Sequence, residues 1–146
     1  MTDVKKYLQQ IRLYDSRINT KLEELHHLKG MVLRITPTLR DDAVSGGHGS
    51  QDKLSDAVAK IVDLEAEIDR EVDSLVDARN SVVGTIDQVD DEKQHEVLSK
   101  RYVQNKTWEQ IACDMGISYQ WTCSLHGRAL QAVEQIIKNS EKNCNS

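Results

Sequence analysis

Three cysteines, five histidines and a dense run of carboxylates are the side chains of this 146-residue chain that could do chemistry. Their spacing decides what chemistry that is. Cys123 and His126 are three apart, so on a helix they share a face, with Cys113 in the segment before them. A structural zinc site takes four nitrogen or sulfur ligands, and the sequence holds no CxxC or HxxxH pair. No metal is expected, and Cys113 is expected to pack as a small apolar residue. His26 and His27 are adjacent and point to different faces, while His48 sits in a glycine-rich stretch and reads as a surface residue. Glu65, Glu67, Asp69, Glu71 and Asp73 alternate along the chain rather than converge. Asp69 and Asp73 would even repel as a like-charge pair four apart on a helix, so this run reads as a solvated face. There is no Ser-His-Asp grouping, phosphate loop or dinucleotide fingerprint. Neither an enzyme nor a cofactor site is expected.

What remains is hydrogen-bonding chemistry on a scaffold, and one stretch provides it. Thr107–Leu130, TWEQIACDMGISYQWTCSLHGRAL, reads as two helices with a short turn. Thr107 is an N-cap, and Gln110 three residues on completes a capping box. Ile111, Ala112 and Met115 fall on one face. Gly116 suits a left-handed C-cap, because glycine carries no Cβ penalty there. Ile117 plugs the turn and Ser118 is a second N-cap. Thr122, Leu125, Ala129 and Leu130 continue the inward stripe. This is the helix-turn-helix pattern, whose second helix enters the major groove with its first turn and a half facing bases. Glu96–Tyr102, EVLSKRY, supplies a preceding helix with Val97, Leu98 and Tyr102 buried. Ile111, Leu125 and Trp108 are expected in the core of the module.

Glu96–Leu130 resembles region four of bacterial sigma factors, through VLSKRY, TWEQIA, MGIS and a helix ending in GRAL. More of the chain is similar to small prophage proteins of Gram-positive bacteria, the ArpU/RinA type of phage late-gene transcriptional regulators. That likeness runs through YLQQIRLYDSRINTKLEEL, DAVAKIVDLEAEIDREVDSLVD and LHGRAL. The resemblance to region four implies a DNA-binding face made of Ser118, Tyr119, Gln120, Cys123 and Ser124. Gln120 suits adenine, since it can both donate and accept. Arg128, Lys106 and the Thr107 cap fall where backbone phosphates would pass. The sequence departs from sigma factors in having no Arg in the recognition helix before Arg128, and in carrying Trp121 on an otherwise polar face.

Charge is unevenly divided. Residues 1–92 carry 12 Lys and Arg against 19 Asp and Glu (−7), and residues 93–146 carry 7 against 5 (+2), which recovers the net −5. Only the C-terminal part favours phosphates, and few cations mean weak binding by one module. Three cysteines with no export signal fit reduced thiols in a cytoplasmic protein. No apolar run approaches the roughly 20 residues that span a bilayer, so no membrane partner is expected.

The positioning elements are helices throughout. Val4, Leu8, Ile11, Tyr14, Ile18, Leu22, Leu25, Leu28 and Val32 recur mostly every three or four residues, as in a heptad seam. Leu54, Val58, Ile61, Leu64, Ile68, Val72, Leu75, Val82 and Ile86 do the same, with a weak stretch near Arg79. The expected fold is all-α. A long antiparallel helical hairpin, or coiled-coil arm, covers residues 1–89, with Thr36–Ser50 a flexible connection (loop 36–51) rich in turn-forming residues. The helix-turn-helix domain covers residues 90–146. A two-helix hairpin has a thin core, so pairing into a homodimer or higher oligomer is expected.

Two functions follow as expectations. The first is a sequence-specific DNA-binding transcriptional regulator of phage origin, whose partners are double-stranded DNA, RNA polymerase and further copies of itself. The alternative is a phage assembly, DNA-packaging or protein-interaction factor that reuses a helix-turn-helix. Small terminase subunits combine the same parts but place the DNA-binding end first, whereas here it comes last.

Overall fold

The computed structural model describes residues 2–41 and 48–146, and within them every regular element is helical. In chain order these are α1 (Thr2–Leu8), α2 (Gln10–Asp41), α3 (His48–Ile86), α4 (Glu92–Leu98), a π-helical turn (Ser99–Val103), α5 (Trp108–Met115) and α6 (Tyr119–Cys144). The backbone ladder runs on across Gln9, whose N–H donates to Lys5 O at 2.9 Å while its carbonyl accepts from Leu13 N–H at 3.0 Å. The chain folds as an N-terminal antiparallel helical hairpin followed by a C-terminal helical domain, in two compact units.

One unit is residues 14–74, the outer part of the hairpin. Ion pairs give its direction. Lys21 Nζ lies 3.2 Å from Glu71 Oε1 and 3.6 Å from Glu67 Oε2, and Lys29 Nζ lies 3.3 Å from Glu65 Oε1. As residue numbers rise on α2 they fall on α3, which is antiparallel pairing. Ile18, Ala57, Leu64 and Ile68 are buried between the helices.

The expected seam needs correcting here. Leu22 and Val58 are each 45 % exposed and Val72 is 39 % exposed. The line that keeps alternate steps of three and four on α3 passes through Ala57, Ile61, Leu64, Ile68 and Glu71. Two valines one position off that line face solvent, and a half-buried Lys21–Glu71 pair takes the place of an apolar layer. The segment expected as a connection is helical at both of its described ends. The backbone stays helical from Thr36 through Pro37 to Asp41, and helix resumes at His48. Thr36 Oγ1 donates to Val32 O at 2.8 Å, a back-bond that a helix accepts. A helix-interior proline lacks the ladder N–H and its ring crowds the carbonyl four residues back, so it is a cost that this helix carries. The remainder of that expected loop, residues 42–47, and the His48 side chain lie outside the described residues.

The other unit joins Met1–Leu13 to Leu75–Ser146. Its core unites Val4, Leu8 and Ile11 with Val82, Ile86 and Val89 from the end of α3 and beyond, and with Val97, Leu98, Tyr102, Ile111, Leu125, Ala129, Leu130 and Val133. Tyr7 Oη is hydrogen-bonded to Ser81 Oγ at 2.6 Å and Thr85 Oγ1 at 2.8 Å. The ends of the hairpin are therefore part of the C-terminal core, and Val89, where the arm was expected to end, is buried inside it. Among the described residues no helix is long and apolar enough to cross a membrane.

Candidate nucleic-acid interface

The C-terminal module is built by its caps. Asp91 caps α4 by accepting from Gln94 N–H at 2.9 Å. After Leu98 the backbone widens into the π-helical turn, closed by Gln104 N–H donating to Ser99 O at 3.0 Å. Asn105, at φ 54°, then turns the chain, in the left-handed region that Asn tolerates better than most residues. Thr107 caps α5, its hydroxyl accepting from Gln110 N–H at 3.2 Å while Gln110 Oε1 accepts from Thr107 N–H at 2.9 Å. This is the capping box that the sequence implied.

Gly116 ends α5 at φ 65°, ψ 34°. Its N–H donates to Cys113 O at 3.2 Å, and Ile117 N–H donates to Ala112 O at 3.1 Å. These two bonds form a Schellman motif. Ser118 Oγ accepts from Trp121 N–H at 3.1 Å and starts α6. Three residues thus separate the two helices, the turn of a helix-turn-helix. Inside, Ile111, Ala112, Thr122, Leu125, Ala129 and Leu130 are all buried, and the half-buried Met115 and Ile117 pack against the same core.

One polar pair lies in this core. Tyr102 Oη and His126 Nε2 are 2.7 Å apart and buried. The His126 ring meets Trp108 edge to face at 4.5 Å between centroids. Burial, with Lys5 and Arg101 adding to it, lowers the His126 pKa to about 4, and burial raises the Tyr102 phenol to about 12. Both side chains are therefore neutral at pH 7. His126 points inward to Tyr102 while Cys123 is exposed, and Cys113 is exposed rather than packed as expected. An exposed thiol at position 113 follows from the side of α5 it occupies, opposite Ile111. Among the described residues no three His, Cys, Asp or Glu side chains gather where they could hold a metal ion. Trp108, expected in the core, is only half-buried because its ring covers the core's edge beneath Arg101.

The outward face of α6 carries Tyr119, Gln120, Trp121, Cys123, Ser124 and, further along, Arg128, all exposed. Trp121 is 41 % exposed, and the Arg128 guanidinium lies over its ring at 5.5 Å from the centroid. The Cys123 sulfur, one turn on, raises the Tyr119 phenol above its usual pKa, so that phenol keeps its proton. Thr107 and Ser118 hydroxyls serve the helix caps. Lys106 is held by Asp114, which is also 3.8 Å from Lys100 Nζ.

Arg101 was missing from the residues that sequence reasoning placed at this face. Its Nη1 donates to Lys106 O at 3.0 Å, and its guanidinium sits 4.5 Å over the Trp108 ring. It acts electrostatically on both Tyr119 and His126. SKRY, read as plain α-helix, gave no signal for the π-helical turn in which Arg101 sits.

Such a face offers amide, hydroxyl and phenol groups that donate and accept, beside one stacked guanidinium. It can read hydrogen-bonding edges and touch an anion. Against known families, the model of sigma-70 region 4 matches residues 91–135, from the Asp91 cap into the middle of α6. These residues are a sigma region 4 helix-turn-helix domain. No curated protein and no solved structure matches the chain significantly.

Proposed function

We propose that the chain is a sequence-specific DNA-binding transcriptional regulator of phage origin. The observation that carries this reading is the region 4 match falling on a complete helix-turn-helix whose second helix leaves Tyr119, Gln120, Cys123 and Ser124 uncovered. In this reading α6 lies in the major groove. Gln120 and Ser124 contact base edges, Tyr119 reaches a phosphate or a thymine methyl, and Cys123 packs beside it. Arg128, Thr107 and Ser118 stand toward the sugar-phosphate backbone, with Lys106 held back by Asp114. Phage origin rests on the likeness of the hairpin sequence to ArpU/RinA-type regulators. The module's small positive balance favours action as an oligomer or alongside RNA polymerase, because few phosphates are neutralised per copy. The exposed Leu22, Val58, Val62 and Val72 on the hairpin give a second copy an apolar strip to cover.

Selection of bound duplexes from a random pool, followed by titrations at two salt concentrations, tests this. A sequence should be enriched. Gln120→Ala and Ser124→Ala should change which sequence wins, whereas Arg128→Ala should weaken binding to every duplex alike. If no sequence is enriched and Arg128→Ala leaves binding unchanged, groove docking is wrong. The second reading, an assembly, packaging or protein-interaction factor, would then lead, with exposed Trp121 as its anchor.

A further inference from the structure

Asp114 stands in the last turn of α5, the negative end of the helix dipole, where a carboxylate is disfavoured. Its surroundings explain its presence. Asp114 Oδ2 accepts from Lys106 Nζ and lies 3.8 Å from Lys100 Nζ. Lys100 also has Glu96 Oε1 at 3.6 Å. Two ammonium groups converging on one oxygen is the arrangement that a phosphate oxygen takes between lysines. Lys106 directly precedes the Thr107 cap, and the first helix of a helix-turn-helix crosses the DNA backbone. The module holds only seven Lys and Arg. One carboxylate therefore occupies two of the few cations able to neutralise phosphates, and Glu134 holds Lys138 at 3.4 Å.

We propose that Lys100 and Lys106 form a latent phosphate-binding pair that Asp114 occupies, so that Asp114 limits how tightly the module holds DNA. This rests on the DNA-binding reading above. Asp114→Asn keeps the shape and removes the charge, so that Lys106 loses its carboxylate and Lys100 keeps only Glu96, and both can turn toward the backbone.

The experiment measures binding of the full-length chain to a random-sequence duplex between 50 and 200 mM salt, for wild type, Asp114→Asn and Asp114→Asn/Lys106→Gln. Asp114→Asn should bind more tightly and with a steeper salt dependence. Two added phosphate contacts steepen the logarithmic slope by about 1.8, so the variant's advantage should shrink about tenfold across that range. Adding Lys106→Gln to Asp114→Asn should take back most of the gained affinity and about half of the gained slope. A wild type that binds DNA with the same affinity and slope as Asp114→Asn overturns the proposal and leaves the DNA-binding reading intact. Absence of DNA binding in all three proteins overturns both.

Discussion

His126 shows how one side chain links the core of the module to its conditions. Its imidazole is buried against Tyr102 and Trp108, and its pKa is lowered from 6.5 to about 4, mainly by that burial. Between those values the unfolded chain binds the proton and the folded chain does not. The contribution is complete above about pH 6.5 and is lost as pH falls toward 4. Urea unfolding at pH 7 and pH 4.5 should show this loss as about 2 kcal/mol, allowing for the ring's residual contact with solvent. In His126→Gln the difference between the two pH values should shrink by about that amount. An unchanged difference would place the acid sensitivity elsewhere. The same imidazole was legible in sequence only as a neighbour of Cys123, because a helix face says which residues align and not which face is buried. Tyr102, 24 positions earlier, decides that.

The caps set where helices begin and end, and they carry the element-scale predictions. Gly116 has open space around its missing Cβ but sits at φ +65°. Gly116→Ala should therefore cost about 1 kcal/mol through backbone strain alone, read as a lower denaturation midpoint with an unchanged m-value. Gly127, helical and with similar open space, should tolerate Ala or gain slightly. On the hairpin, Ile68→Asp should destabilise by several kcal/mol, since Ile68 is 8 % exposed and an unpartnered buried charge is costly. Leu22→Asp, at an exposed site, should change the melting of a monomer little; a large loss at Leu22 would mean that the residue is covered in solution. These elements also show what sequence could carry. The helix-turn-helix was readable residue by residue because its signals are local: Thr107 with Gln110, Gly116 with Ile117, Ser118 with Trp121. The hairpin was readable as helices but not in its exact facing, since hydrophobicity favoured Val58 and Val72 where the strict repeat runs through Ala57 and Glu71. The π-helical turn left no local signal, and Arg101 was missed with it.

At the scale of the whole molecule, the association proposed above sets its own thermodynamic signature. A chain that pairs through its hairpin should melt at a temperature that rises with concentration, because association stabilises by mass action. Circular dichroism melts over a hundredfold concentration range test this, and a constant midpoint would indicate a stable monomer. Val62→Asp should abolish the rise while sparing the monomer, since Val62 is 59 % exposed. The core that joins Val4, Leu8 and Ile11 to Leu125, Ala129 and Val133 has a different consequence, in the order of synthesis. Within this stretch α1 is made long before α6, the helix it packs against. Its apolar side must wait for more than a hundred further residues, so closing this core is a late and long-range event. Nascent chains halted before Tyr119 should remain open to protease around α1, and protection should arrive only when α6 has emerged.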